Sequence, residues 1–481
     1  MSSNSAQRLY DLGIVIFLFL AINAASVGCR RSTPPRLSFE TTEESLRAGR
    51  QGEEADEARL GLLGDEALDT YLNSVGQRVF EAIRTPRVRY DFRVVDEAQP
   101  NAFALPDGSV FVTRGLLVLM NDEDELACLL GHEIAHVEQR HTARHQPSSN
   151  PVSPLLGPWR RAAERAPYTQ VMEEEADFLG QQFCAAAGHD PMGMSTLLRS
   201  LRQVERIQFG LSRQPSFLAT HPGLQNRATL NGARAREMTW RRDPRIGDPR
   251  AALLQRTEGI NVGQRPQSGV FVDNRFLDPV LGYQITFPRG WVRSANNRVV
   301  GARSSDTGAV VFLVADRSAG DPKMRGEEWL ARQTGDAFQV ESTQSLFVGR
   351  MPAWRFELTT GGRINRTTGS ATFVSHGERT FRLIAVAPSR AARAELRRAM
   401  TAIRSFRPLA IENRSLIRAR RLRVVTAEPD ESLADLGARA EDTWVPTRRA
   451  VMNGLFSNHV FSGGELAKIA RSEPYESVEE R

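Results

Sequence analysis

The sequence predicts an α+β multidomain chain: a mainly helical domain, then an α+β sheet domain, then a small mixed module. Three observations carry this. Apolar residues recur at helical spacing over much of the first half. Beyond about residue 268 they alternate as in strands. Between the two, about 240–267 is rich in Arg, Asp, Gly and Pro, the composition of a boundary. A chain of 481 residues has room for two to four such domains.

Taken in order, Leu12–Val27 is a short apolar run followed by Gly28 and Cys29. It has the length of a signal-peptide core and falls short of a comfortable membrane span. Small residues ahead of Cys29 resemble a bacterial lipobox, so residues 1–29 are expected to be a signal peptide whose cysteine is lipidated. Ordinary secretion and an uncleaved anchor are the alternatives, and all three place the chain outside the cytoplasm. Residues 30–37, polar with two prolines, read as a tether.

Residues 38–255 form the first expected domain. Phe39 to Ile83 is helical in pattern, with Leu60, Leu63, Leu68, Tyr71, Leu72 and Val75 as the apolar positions. Val88–Val95 alternates, and Ser109–Thr113 is a second strand led in by Pro-Asp-Gly. That second strand is placed either to hold extended substrate by β-addition or to serve as a core strand. Residues 146–158 carry four prolines and read as an irregular loop. A helix over Glu173–Ala187 stops at Gly188, and further helices run to about Gln208 and over Leu224–Met238.

In the second domain, 268–408, strands are expected at 282–291, 310–314, 353–358, 370–374 and 380–387, with a helix at 391–403. The turn Phe-Pro-Arg-Gly-Trp291 resembles that of PsbP-like domains. The last segment, 420–472, resembles a degraded LysM-like module: strand 421–425, helix 432–437, the end of a second helix at 452–455, and strand 463–469. LysM modules bind peptidoglycan glycans, but Asp430-Glu-Ser-Leu433 stands where Gly-Asp-Thr-Leu is usual.

The net charge of +6 does not indicate a nucleic-acid partner. Lys323 and Lys468 are the only lysines among 63 basic residues, and the arginines are scattered without an aromatic-basic recognition module.

The chemistry is concentrated in Asp124–Glu138, which contains H-E-x-x-H as His132, Glu133 and His136. On a helix, residues four apart share a face, so both imidazoles can grip one zinc ion. Glu133 then leans toward the metal's open side, where it can act as general base in peptide hydrolysis. Leu126, Leu129, Leu130 and Ile134 make an apolar stripe, and Asp122–Glu125 place acid at the helix N-terminus. A third ligand is needed. In Glu173-Glu-Glu-Ala-Asp177, Glu173 and Asp177 share a face. Glu173 is the ligand candidate, and Asp177 can accept the N–H of a ligand histidine. Glu174 and Glu175 point elsewhere.

Four segments in order carry a family resemblance: Asn101-Ala-Phe-Ala-Leu-Pro-Asp-Gly-Ser-Val-Phe-Val-Thr-Arg-Gly-Leu-Leu117, H-E-x-x-H, E-x-x-x-D, and Thr220-His-Pro-Gly-Leu-Gln-Asn-Arg227. They resemble the zinc metallopeptidase family of the CaaX prenyl proteases and HtpX, in its soluble periplasmic branch (BepA- and LoiP-like). The resemblance covers about residues 38–240 and implies a zincin-type metallopeptidase domain with one Zn2+ per chain. It implies His132, His136 and Glu173 as ligands, Glu133 as base and Asp177 behind the ligands. One departure is Thr169-Gln170, where the family often has Ser-Arg.

His221 precedes Pro222 and is therefore held extended, free to project its ring from a loop. Three readings stand: a packing histidine, an oxyanion donor, or a fourth ligand that latches the site, the last suggested by the resemblance. Cys128 and Cys184 fall on the two helices expected to flank the metal. A disulfide is open to them in an oxidising compartment, but two buried thiols are the preferred reading.

The expected function is that of a zinc endopeptidase of the bacterial periplasm, anchored to the outer membrane as a lipoprotein. By resemblance its substrates are unfolded or misassembled envelope proteins, with peptidoglycan a further partner. The rivals are a chaperone-like or peptidoglycan-binding factor with a latent metal site, and a peptidoglycan hydrolase.

Overall fold

The computed structural model describes residues 61–141, 168–208, 217, 221–295, 299–316, 319–332, 339–360, 367–387 and 393–475. The signal segment, Cys29, the tether and the proline-rich 146–158 lie outside the described residues.

Helix α1 (Glu66–Glu81) starts where the Asp65 side chain accepts the Leu68 N–H. Its apolar face (Leu68, Leu72, Val75 and Val79) is buried in the first core. Beside it lies a three-stranded sheet of β1 (Asp91–Val95), β2 (Ala102–Ala104) and β3 (Ser109–Thr113). The order is β1-β3-β2, with β3 parallel to β1 and antiparallel to β2. The strand expected to hold substrate is thus the central one. Both its edges are paired, so it is a core strand, and the edge strand is the short β2.

Helix α2 (Arg114–Leu119) follows β3 directly, capped by the Thr113 hydroxyl. Helix α3 (Glu123–Glu138) carries H-E-x-x-H. Asp122 caps it by accepting the Glu125 N–H, and Glu123, Asp124 and Glu125 occupy its first turn, as the helix dipole favours. The sequence suggested one apolar stripe, but every residue of α3 is buried. Other elements cover it on all sides, so its polar residues need internal partners.

Helices α4 (Gln170–Ala186), α5 (Met192–Gln208) and α6 (Leu224–Glu237) complete the frame. Thr169, the departure from the family pattern, caps α4 by accepting the Met172 N–H. α3 and α4 cross at two glycines. A Cβ on Gly131 would meet Gly180 O at 2.6 Å, and one on Gly180 would meet His132 N at 2.7 Å. One turn from this crossing, Cys128 and Cys184 form a disulfide, which corrects the free-thiol reading.

The stretch 240–267 is not a bare boundary. It holds α7 (Pro249–Thr257), with Asp248 as cap and Pro249 at the first turn. Leu253, Ile260 and Val262 are buried in the first core.

The second domain has two antiparallel sheets and two long helices. One sheet runs in the order β14-β6-β5-β4, the other in the order β10-β11-β12-β13-β9-β8-β7. The strands are β4 (Val270–Val272), β5 (Arg275–Asp278), β6 (Tyr283–Thr286), β7 (Val292–Ala295), β8 (Val299–Arg303) and β9 (Val310–Ala315). After helix α8 (Pro322–Ala331) come β10 (Gln339–Val348), β11 (Met351–Thr360), β12 (Thr367–His376), β13 (Arg379–Ala387), helix α9 (Arg393–Arg404) and β14 (Arg407–Pro408). The expected strands and helix appear, the first shortened to β6; β4, β5, β7, β8, β10, β14 and α8 were not expected. β10 is an edge strand exposed over most of its length, so it has no apolar alternation to read.

A one-turn helix, α10 (Ile411–Arg414), leads to β15 (Arg418–Thr426), α11 (Leu433–Arg439), α12 (Pro446–Met452) and β16 (Leu466–Pro474). β15 and β16 pair antiparallel. This strand-helix-helix-strand order follows the sequence reading. The module is not a separate appendage, however. Leu422, Trp444, Met452 and Ala470 belong to the first core. Buried Lys468 donates to the carbonyls of Val118, Leu119 and Met120 at the C-terminal end of α2. Arg250 on α7 also donates to Leu466 O. Among the described residues no helix is long and apolar enough to cross a membrane.

Candidate metal centre

Helix α3 presents His132 and His136 one turn apart, and α4 presents Glu173 from across the glycine crossing. His221, at the approach to α6, completes the group. One donor atom from each of these four buried residues lies within 4.8 Å of the other three. His136 Nε2 is 3.0 Å from His132 Nε2 and 3.4 Å from Glu173 Oε1. His221 Nδ1 is 2.9 Å from Glu173 Oε1 and 3.4 Å from His132 Nε2. Such a set of imidazole nitrogens and one carboxylate fits a four-coordinate zinc site.

The electrostatics suit a cation. Burial lowers the pKa of His132, against the pull of the Asp177 carboxylate. Burial and the neighbouring His132 and His221 hold His136 well below the usual imidazole range. Both rings are therefore neutral and have lone pairs to give. Burial pushes Glu173 up to about 7, although the Arg227 guanidinium opposes the rise. Glu133 rises well above its ordinary value, first from burial and then from the nearby Glu173 charge. Both Glu133 carboxylate oxygens are buried without a hydrogen-bond partner. A buried carboxylate with no hydrogen bond, its Oε1 3.8 Å from His221 Nε2, is an expensive arrangement unless it serves a proton-handling role.

Asp177 lies behind His132, its Oδ1 3.0 Å from His132 Nδ1. It is held well below the usual carboxylate range. Burial raises it, but the Arg227 charge and hydrogen bonds from Arg227 and His132 more than compensate. Arg227 was not singled out from the sequence, yet it organises this side of the site. It donates two 2.7 Å bonds to Asp177. Its third nitrogen contacts Glu173 Oε2 and donates to the carbonyls of His221 and Pro222. The available signal was its place at the end of the Thr220–Arg227 segment.

Three further residues were missed. Tyr168 stacks on His136, with centroids 4.0 Å apart. Phe217 stacks on His221 at 4.2 Å and donates its backbone N–H to Pro100 O, just ahead of β2. His141 lies within hydrogen-bond distance of both His136 and Glu175. Glu175 therefore points into the outer layer of the site, contrary to the expectation that it points elsewhere. Cys29 lies outside the described residues.

Residues 66–156 match peptidase family M48. Over 201 residues the chain is 31% identical to the beta-barrel assembly-enhancing protease of Yersinia pestis, a span covering 37% of this chain and 41% of that protein. It is 30% identical over 203 residues to the protease of that name in Escherichia coli (strain K12), with the same coverage. Against the mitochondrial metalloendopeptidase OMA1 of Bos taurus it is 33% identical over 165 residues, 29% of this chain and 31% of that one. The match thus spans well under half the length of these relatives. Among solved structures, cyanobacterial PsbP from Synechocystis aligns with 13% identity and a TM-score of 0.24, covering 29% of this chain and 95% of that one. Residues 66–156 are thus similar to peptidase family M48, and two helices bring His132, His136 and Glu173 to one point.

Proposed function

We propose that this chain is a zinc-dependent endopeptidase of the bacterial cell envelope. In this reading it hydrolyses peptide bonds of misfolded or stalled envelope proteins during outer-membrane assembly. The observation that carries the proposal is the pairing of four gathered donors with the buried carboxylate of Glu133, which has no hydrogen bond. The substrate class follows the name of the relatives, beta-barrel assembly-enhancing protease. Periplasmic localisation, with a lipid anchor at Cys29, follows from the N-terminal segment.

His132, His136 and Glu173 would hold the metal, which when bound supplies Lewis-acid activation of the scissile carbonyl and the attacking water. The protein's own groups do the rest. Glu133, its proton affinity raised by burial, takes a proton and returns it to the leaving amine. Asp177 orients His132, and Arg227 holds Asp177 and Glu173 in register. His221 sits as a fourth donor, which favours the latch over the oxyanion role: its Nδ1 is aimed among the ligand atoms.

That same latch supports a second reading, a chaperone-like or peptidoglycan-binding envelope factor with a mostly latent metal site. Degradation of unfolded casein by the full chain, with and without chelator, separates the two. Chelator-sensitive cleavage that vanishes in Glu133→Gln supports the peptidase. No cleavage by the wild type or by His221→Ala supports the latent factor.

A further inference from the structure

His136 and His132 are not supported alike. Each points Nε2 at the cluster of donors and Nδ1 away from it. Behind His132 is a carboxylate, Asp177. Behind His136 is another imidazole: His141 Nδ1 lies 3.1 Å from His136 Nδ1. The far nitrogen, His141 Nε2, lies 3.2 Å from Glu175 Oε2. His141 is fully buried, whereas the Glu175 side chain is 45% exposed. We infer that His141, relayed to Glu175, is the positioning residue that fixes the ring of His136 for metal binding.

The direction of the hydrogen bonds follows from the chemistry. This inference rests on the metal reading above. An imidazole that gives its Nε2 lone pair to a cation carries its proton on Nδ1. His136 Nδ1–H must therefore donate, and His141 Nδ1 must accept. His141 then carries its own proton on Nε2 and donates it to Glu175, an acceptor when ionised. With His136 Nε2 on the metal, this assignment satisfies both short contacts. The relay is to His136 what Asp177 is to His132. Outer partners of this kind hold the ring angle and raise ligand basicity, and their loss typically lowers metal affinity by about 10–100-fold.

Helix geometry makes the relay possible. His141 is five residues past His136, just beyond the end of α3, where Gln139 caps the helix and Arg140 turns the chain with φ of 56°. That turn returns the His141 ring toward His136. Glu175 comes from α4, two residues from Glu173, so the helix that supplies the third ligand also terminates the relay.

The test is zinc affinity of the full chain, measured by competition with a chromogenic chelator. His141→Leu removes the acceptor and should weaken zinc binding by about 10–100-fold. His141→Gln, whose carbonyl can accept from His136 and whose amide can donate to Glu175, should recover most of it. Equal affinity in wild type and His141→Leu, or equal loss in His141→Leu and His141→Gln, overturns the inference. Glu175→Arg and Glu174→Arg give a second comparison on the helix surface should His141→Leu fail to fold. They change the charge equally, but only the first puts a donor against His141 Nε2. Glu175→Arg should weaken zinc binding at least several-fold more than Glu174→Arg, and equal effects overturn the relay. A wild-type chain that binds no zinc overturns the metal reading itself, and a wild type that binds while these variants match it overturns only the relay.

Discussion

His221 Nδ1 lies 2.9 Å from Glu173 Oε1, across 48 residues of sequence. The loop histidine therefore sits among the donor atoms that His132, His136 and Glu173 present. Phe217 stacked on its ring and Arg227 on its carbonyl hold it there. His221→Ala should raise casein cleavage, on the order of tenfold for a latch worth a typical coupling energy. If His221 instead stabilised the oxyanion, the same change would lower kcat by about 10²-fold. Rates equal to wild type would leave it a packing residue.

The ligand and the base separate by metal content. Glu173→Ala should lose most bound zinc, because it removes a donor from the cluster. Glu133→Gln should keep zinc and lose roughly 10²–10⁴-fold in kcat, the span expected for an acid–base group. Metal analysis beside kinetics checks both. Full zinc occupancy in Glu173→Ala would refute its assignment as a ligand.

Asp124 anchors the start of the metal helix and sets a pH dependence of stability. Burial raises its pKa, but hydrogen bonds from His189 and Arg242 outweigh that and hold it at about 2, against an ordinary 3.8. A depressed carboxylate contributes stability that is fully present above the unfolded value and is lost as pH falls toward the folded one. Asp124→Asn should therefore melt earlier than wild type near neutral pH, by a stability difference of about 1–2 kcal/mol. The gap should hold from pH 7 to about pH 5 and close as pH falls between about 4 and 2. A gap unchanged across that window would show that Asp124 acts by packing alone.

Lys468 ties the last strand to the first core. Its Nζ donates to the carbonyls of Val118, Leu119 and Met120 at the end of α2, immediately before α3. Lys468→Ala would leave buried acceptors unpaired and should destabilise the protein by about 2–3 kcal/mol. Because α2 leads into α3, apparent zinc affinity should fall with it. Thermal melting with and without chelator checks this. Unchanged melting would mean that the C-terminal module is merely attached.

Much of the site was legible because it is local. The spacings of His132 to His136 and of Glu173 to Asp177 are one helical turn, and one turn is enough to put side chains on a face. The acidic start of α3 at Asp122–Glu125 and the existence of the strand Ser109–Thr113 follow from equally short-range rules. The strand-helix-helix-strand order of the C-terminal segment was read from its resemblance to a LysM-like module rather than from local spacing.

Tertiary structure decided what joins those pieces. His221 and Arg227 reach Glu173 and Asp177 from the approach to α6, and no periodicity in the sequence announces that closure. The Gly131–Gly180 crossing sets how near α3 and α4 lie, and the Cys128–Cys184 disulfide depends on that distance. Whether Ser109–Thr113 is an edge or a centre depends on β1 and β2, which pair with it from either side. His141 meets its partner only because α4 places Glu175 against it. The sequence alone determined the reactive groups, because their chemistry and helical spacing are carried by neighbours in the chain. Only the fold determined their partners, because those contacts form between residues far apart in sequence, where packing rather than local geometry selects who meets whom.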